Sequence, residues 1–119
     1  METRTAFDSE TFRRGFEQWD LPALLDLYAD DVELVEINRE HPPSDPRVRR
    51  GRQVYEQAFG HCASAGVKGS IENIIVGDDQ VACTMTCEFP DGRKVVGNAI
   101  MEIRDGKVVR ELQVQSGDA

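Results

Sequence analysis

The sequence predicts an α+β domain in which helices gather on one face of a curved antiparallel sheet. Three observations carry that expectation. Apolar residues recur largely at helical spacing up to about residue 64, and at strand spacing from there to the end. Two Asp-Gly steps, Asp91-Gly92 and Asp105-Gly106, fall between apolar runs, the place of hairpin turns. The length of 119 residues suits one domain spanning 1–119 and leaves no room for two.

The elements follow in order. Asp8 is placed to cap a first helix, with Phe7 before it and Phe12 four residues on in the arrangement of a hydrophobic staple. Phe12, Phe16 and Trp19 then mark one apolar face. Asp20 is a second cap, and Leu21, Leu24, Leu25 and Tyr28 repeat the i, i+3, i+4, i+7 signature, with Pro22 tolerated in the first turn. Val32, Leu34, Val35 and Ile37 read as a strand, with Glu33 and Glu36 among them. Residues 38–51, holding Pro42, Pro43 and Pro46, are expected to form an irregular loop, and loops of that length are usually functional or mobile. A third helix is expected over Arg52–Ser64, with Val54, Phe59 and Cys62 facing inward and Gly66 as its stop. Strands near 68–76, 80–90, 93–104 and 107–115 complete an antiparallel meander.

Composition narrows the partners. Fourteen basic against 22 acidic residues leave a net charge of −8, which argues against nucleic acid and anionic membrane surfaces. No stretch approaches 18 apolar residues, and METRTAFDSE has no apolar signal core, so a cytoplasmic protein is expected. Cys62, Cys83 and Cys87 are an odd number without a CxxC pair. Cys83 and Cys87 would stand roughly 13 Å apart on a strand, too far for a disulfide, so reduced buried thiols are expected. His41 and His61 are isolated, and no glycine-rich phosphate loop or GxSxG occurs, so neither a metal nor another cofactor is expected. The tract 38–52 gathers Arg39, Arg47, Arg49, Arg50 and Arg52, five of the 14 basic residues. It is expected to pair with surface carboxylates; the alternative is a lid presenting cations to an anionic substrate, or a partner contact.

The strands alternate cleanly. Val81, Cys83, Met85, Cys87 and Phe89 share one face, opposite Ala82, Thr84, Thr86 and Glu88. Val108, Arg110, Leu112 and Val114 oppose Val109, Glu111, Gln113 and Gln115, while Asn98 and Glu102 share a face with Val96 and Ile100. Either the polar face meets water, or the helices arch over it and leave a pocket lined by a few placed polar groups.

The run Leu24-Leu25-Asp26-Leu27-Tyr28-Ala29-Asp30-Asp31-Val32-Glu33-Leu34-Val35-Glu36 resembles the junction of helix two and strand one in the nuclear transport factor two-like superfamily, which includes SnoaL-like polyketide cyclases, ketosteroid isomerases and limonene-epoxide hydrolases. Arg50-Gly51-Arg52 opening a helix and Asp105-Gly106-Lys107-Val108-Val109 opening a last strand resemble its other landmarks, so the likeness spans roughly 8–115. It implies a cone-shaped sheet with three helices packed over it, a pocket, and a homodimer through the sheet. Glu36 falls where the isomerases place their carboxylate base; Phe12 and Ile100 fall where they place the tyrosine and aspartic acid that stabilise the oxyanion, and neither can donate a hydrogen bond. Gln115-Ser116 stands where the cyclases carry an acid/base aspartate.

The combined expectation is a pocket with Glu36 and Glu111 as catalytic carboxylates. Thr84, Thr86, Asn98, Gln113 and Gln115 would be its polar groups, and Phe12, Trp19, Tyr28, Phe59 and Ile100 its walls. Two carboxylates facing one cavity push their pKa values apart, which suits acid/base work. The substrate would be an apolar or polyketide-like small molecule undergoing isomerase- or cyclase-type proton transfer. The alternatives are a non-catalytic ligand-binding or dimerisation module, and an epoxide hydrolase in which Glu36, Glu111 and Asn98 hold a water, although no arginine is evident on that face.

Overall fold

Asp8 starts the first helix as its spacing predicts: its carboxylate accepts from the Thr11 backbone N–H at 3.0 Å and from the Thr11 hydroxyl at 2.7 Å, and Phe7 meets Phe12 edge-on at 5.5 Å. The computed structural model describes residues 6–118, so the N-terminal stretch METRT falls outside it. Helix α1 (Ser9–Gln18) ends at Trp19 in the left-handed region, φ 52°, and α2 (Leu21–Leu25) follows under the Asp20 cap. The helical signature overran here. Tyr28, predicted as the far end of the second helix, instead opens β1 (Tyr28–Ile37), because the chain straightens after Leu27, whose carbonyl accepts from Val108 N–H in the last strand.

Residues 38–51 are not one irregular loop. Arg47–Arg50 form β2, paired antiparallel to β1. The third helix, α3 (Arg52–Ser64), agrees with the expected bounds, and β3 (Lys68–Val76), β4 (Gln80–Glu88), β5 (Lys94–Arg104) and β6 (Lys107–Gly117) form the meander. At Asp105-Gly106 both φ values are positive, 53° and 78°, the conformation of a two-residue hairpin turn. The six strands lie in the order β2-β1-β6-β5-β4-β3 without closing into a barrel. One pair departs from the antiparallel expectation: β1 runs parallel to β6, which the long return through α3 and the meander permits.

Helices cover one face only. Phe12, Leu24, Tyr28, Val32, Val81, Met101 and Val108 are sealed between helices and sheet, and the aromatic chain Trp19–Phe16–Phe59–Tyr55–Tyr28 has ring centroids 4.0 to 6.3 Å apart. Gly69 allows α1 to close on β3: a Cβ there would stand 2.7 Å from the Phe16 ring and 2.8 Å from its carbonyl oxygen. Among the described residues no helix is long and apolar enough to cross a membrane.

One irregularity decides which side chains reach the covered face. In β6, Arg110 pairs with Glu102 but Val108 pairs with Ile103, so Val109 is an extra residue, a β-bulge. Val108 and Glu111 therefore both point under the helices, each 0% exposed, although strict alternation would put them on opposite faces.

Candidate functional site

The bulge sets Glu111, Gln113 and Gln115 on the covered face, opposite Met101, Ala99 and Gly97 of β5. There they stand beside the apolar row Val81, Cys83 and Met85 of β4, not beside Thr84 and Asn98. Beyond them lies Glu36 of β1, in register with Gln113. From α3, Tyr55 and Phe59 descend onto this strip. The fold thus lays one polar row into an otherwise apolar covered face, and such a row is stable there only if its groups satisfy one another.

They do so in a chain. Tyr55 donates its hydroxyl to Glu111 at 2.9 Å, Gln113 Nε2 donates to the other Glu111 oxygen at 2.7 Å, and Gln115 Nε2 donates to Gln113 Oε1 at 2.5 Å. Gln115 Nε2 also reaches Glu36 at 3.3 Å, and Arg49 of β2 grips the other Glu36 oxygen at 2.6 Å. Asn38, at the end of β1, donates to Gln115 Oε1 at 3.0 Å. Two carboxylates are joined by two amides, with an arginine at one end and a phenol at the other.

The two carboxylates are not equivalent. Burial pushes the Glu111 carboxyl above its ordinary pKa and the nearby Glu36 charge adds to this, while the Gln113 and Tyr55 hydrogen bonds oppose it. Burial likewise raises the Tyr55 and Tyr28 phenols, with the Glu111 charge next. Tyr28 stacks on Tyr55 at 4.0 Å, and its hydroxyl has no hydrogen-bond partner among the described residues.

Between α1, α3 and the sheet lies a cavity of about 140 Å³. Its walls are Phe16, Trp19, Leu34, Val54, Phe59 and Met85, with Glu36, Arg49, Gln113 and Gln115 as polar groups. Trp19 is held in place by its Nε1–H, which donates to Val67 O at 2.7 Å. Cys62 and Cys87 also border the cavity; a thiol hydrogen bond to Cys87 brings Cys62 down to about 7. Two larger concavities, about 460 and 630 Å³, are bordered mainly by charged and polar side chains such as Asp78 and Glu102, or Arg39 and Asp118. Among the described residues no group of three or more His, Cys, Asp or Glu side chains could hold a metal.

The expected site therefore divides into three. Glu36, Trp19, Phe59, Gln113 and Gln115 line the cavity. Glu111, Phe12 and Tyr28 are fully buried and do not line it, so the carboxylates share a hydrogen-bond chain rather than one open cavity. Thr84, Thr86, Asn98 and Ile100 belong to the opposite, outer face: Thr84 donates to Asn98 at 2.9 Å, Thr86 pairs with Val96 in the ladder, and Ile100 is 51% exposed. The physical reason is that Val81, Cys83, Met85, Ala99 and Met101 gain more from cover than threonines and an asparagine would. The bulge then brings the polar row of β6 to their side.

Sequence reasoning missed Arg49 and Tyr55. Arg49 follows Leu34 inward because the two are register partners; the signal was alternation in Arg47-Val48-Arg49, masked by the surrounding prolines and arginines. Of the expected basic tract, Arg50 pairs with Glu33 at 2.6 Å and Arg52 with Asp30 at 2.5 Å, so these two answer surface carboxylates as expected. Tyr55, Phe59 and Cys62 are spaced four and three apart, one helix face legible in principle.

A family model described as a SnoaL-like domain matches residues 9–111. Searched by sequence, the curated proteins contain no match. Among solved structures, the chain is similar to an NTF2-like protein of unknown function from Mesorhizobium loti, at 24% identity and TM-score 0.72, covering 90% of this chain and 86% of that one. A candidate ketosteroid isomerase from Kribbella flavida matches at 17% identity and TM-score 0.70, covering 90% and 73%. IdmH, a candidate polyketide cyclase from Streptomyces antibioticus, matches at 22% identity and TM-score 0.64, covering 90% of each chain. Likenesses this distant concern the fold alone.

Proposed function

The chain belongs to the family of SnoaL-like domains, and from that premise we propose that it binds a small, largely apolar molecule in the helix-covered cavity and that Glu36 moves a proton on it, as an isomerase or cyclase would. The observation that carries this reading is the placing of Glu36. Among the described residues it is the one carboxylate bordering a largely apolar cavity, oriented from one side by Arg49 and from the other by Gln115.

The step is a proton abstraction next to a carbonyl. Glu36 takes the proton from carbon, the C–H pair becomes the carbon–carbon double bond of an enolate as the carbonyl π pair moves onto oxygen, and the proton returns from Glu36 to that carbon or, where a further double bond is conjugated with the enolate, to its far carbon. Phe12 is sealed in the core and Ile100 lies on the outer face, so neither position meets that oxygen. Arg49 does: as Glu36 is neutralised, the guanidinium loses its ion-pair partner and its N–H groups turn to the oxygen where charge now develops. A donor of this kind is worth about 10²–10³ in rate, and a positioned base about 10²–10⁴. Glu111, out of contact with the cavity, is a positioning residue acting through Gln113 and Gln115.

The test is hydrogen exchange of a small cyclic ketone in heavy water, followed by NMR. The protein should catalyse exchange at the carbons flanking the carbonyl; Glu36→Gln should lower the rate at least 100-fold while still binding the ketone. Exchange unaffected by Glu36→Gln overturns the proton-transfer reading. Binding without any exchange leaves the second reading, a ligand-binding module, which the engagement of Arg49 by Glu36 at 2.6 Å favours. The Glu36–Arg49 pair also supplies the arginine that epoxide hydrolysis needs, so water addition to a small epoxide belongs in the same assay.

The partner is a second copy of this chain. On the outer face, Val96, Ile100 and Val114 are 41%, 51% and 51% exposed, and in the ladder they surround Thr84, Thr86 and Asn98. No charge stands among these six. Two such faces can meet without the repulsion that a net charge of −8 would impose elsewhere.

A further inference from the structure

We infer that the cavity accepts an uncharged molecule of a single ring, or a chain of the same bulk, bearing one carbonyl or hydroxyl, and shuts out fused-ring compounds. This rests on the binding reading above and narrows it to a substrate class.

Volume is the first ground. The cavity measures about 140 Å³, and an apolar protein cavity of about 150 Å³ takes up benzene. Pockets for drug-sized ligands start at roughly 300 Å³. The cavity is open on one side, so a second fused ring would have to stay outside it in water or displace a wall, and the walls are anchored. Phe16 touches Gly69 too closely to retreat toward β3, and Trp19 is tied to Val67.

The charge on the walls is the second ground. Among the described residues, Glu36 and Arg49 are the only acidic and basic side chains bordering the cavity, and they pair with each other at 2.6 Å. An anionic ligand would have to compete with Glu36 for Arg49 while facing the buried Glu111 behind Gln113, and a cation would have to displace Arg49. An uncharged ligand with one oxygen meets neither obstacle and finds donors in Arg49 and the amides.

The third ground is Gly97, on the floor of the cavity in the middle of β5. A glycine inside a strand weakens it. A Cβ here would meet only ordinary contacts, 3.5 Å to Gln115 Cγ and 3.8 Å to Gln113 Oε1, so the backbone packing does not demand glycine. What the missing side chain leaves is ligand space.

Amide NMR titrations of the full chain test this with phenol, cyclohexanone, benzoate, 2-naphthol and progesterone. Phenol and cyclohexanone should shift the amides of 54–62, 85–87 and 113–115 saturably. Benzoate and 2-naphthol should bind at least 10-fold more weakly than phenol, and progesterone should produce no shift. Gly97→Ala should weaken phenol several-fold, and Met85→Ala, which enlarges the cavity, should strengthen 2-naphthol at least 10-fold; the two opposed changes separate ligand space from general damage. Binding of 2-naphthol or progesterone as tight as that of phenol overturns the size limit and leaves the binding reading intact. Equal binding of benzoate overturns the charge limit alone. Failure of every probe overturns the binding reading itself.

Discussion

Glu111 shows at the level of one residue how a buried charge is tolerated. It has no exposure, yet each carboxylate oxygen accepts a hydrogen bond, from Tyr55 and from Gln113. Burial still wins over those bonds and raises its pKa, so the folded protein holds this proton more tightly than the unfolded chain does. Between the ordinary carboxylate pKa and the raised one, the folded state carries a proton that the unfolded chain has released. Stability then falls by at most about 1.4 kcal/mol per pH unit, levelling off above the raised pKa. Glu111→Gln removes that decline. Urea unfolding of both proteins across the acid-to-neutral range should show the wild type losing stability relative to the variant as pH rises; parallel curves would contradict the account. At this scale the sequence was half legible. Glu36 and Glu111 stand out as candidates, but which one touches the cavity depends on depth, which alternation does not encode.

At the level of elements, caps and turns acted locally and were readable: Asp8, Asp20 and Asp105-Gly106 each sit where their chemistry requires. The close approach of α1 to β3 was not readable, because it depends on Gly69 and Phe16, more than fifty residues apart in sequence. It can be tested. Gly69→Ala puts a methyl into the Phe16 ring and carbonyl, and overpacking of this kind costs about 1–3 kcal/mol. Chemical denaturation should show that loss, against none for Gly60→Ala in α3, where a Cβ meets nothing within 4 Å. Strand β2 escaped notice because four residues between prolines and a glycine give alternation little length to show itself. The bulge at Val109 escaped for a deeper reason. Period two assumes one residue per ladder step, and one extra residue inverts the face of everything before or after it. Thr84, Thr86 and Asn98 were grouped with Glu111 as one polar inward face and Ile100 joined them through the resemblance, whereas core packing placed all four outside.

Across the whole molecule, the sheet divides the labour between its faces. The covered face holds the core and the cavity; the outer face keeps Val96, Ile100 and Val114 in solvent. If the outer face pairs with a second copy, Ile100→Lys combined with Val114→Lys should convert a dimer to a monomer in sedimentation equilibrium, leaving circular dichroism unchanged, since neither side chain belongs to the core cluster. A native protein that sediments as a monomer would remove the basis for the proposal. The fold class was legible at this scale because it needs only the order of elements; the parallel β1–β6 pair was not, because strand direction follows from the return path of the chain.

The amide chain between the carboxylates has a direction. Gln115 gives to Gln113, Gln113 gives to Glu111, and Tyr55 gives to Glu111 from the other end, as an ionised carboxylate that can only accept requires. The far end of the amide chain is fixed as well: turning Gln115 end for end would set its Oε1 against the Glu36 carboxylate and its Nε2 against the Asn38 amide. Asn38 in turn accepts the backbone N–H groups of Glu40 and His41 through its own side-chain oxygen. One buried carboxylate thus sets the sense of every amide from the core out to the first residues of the proline-rich segment.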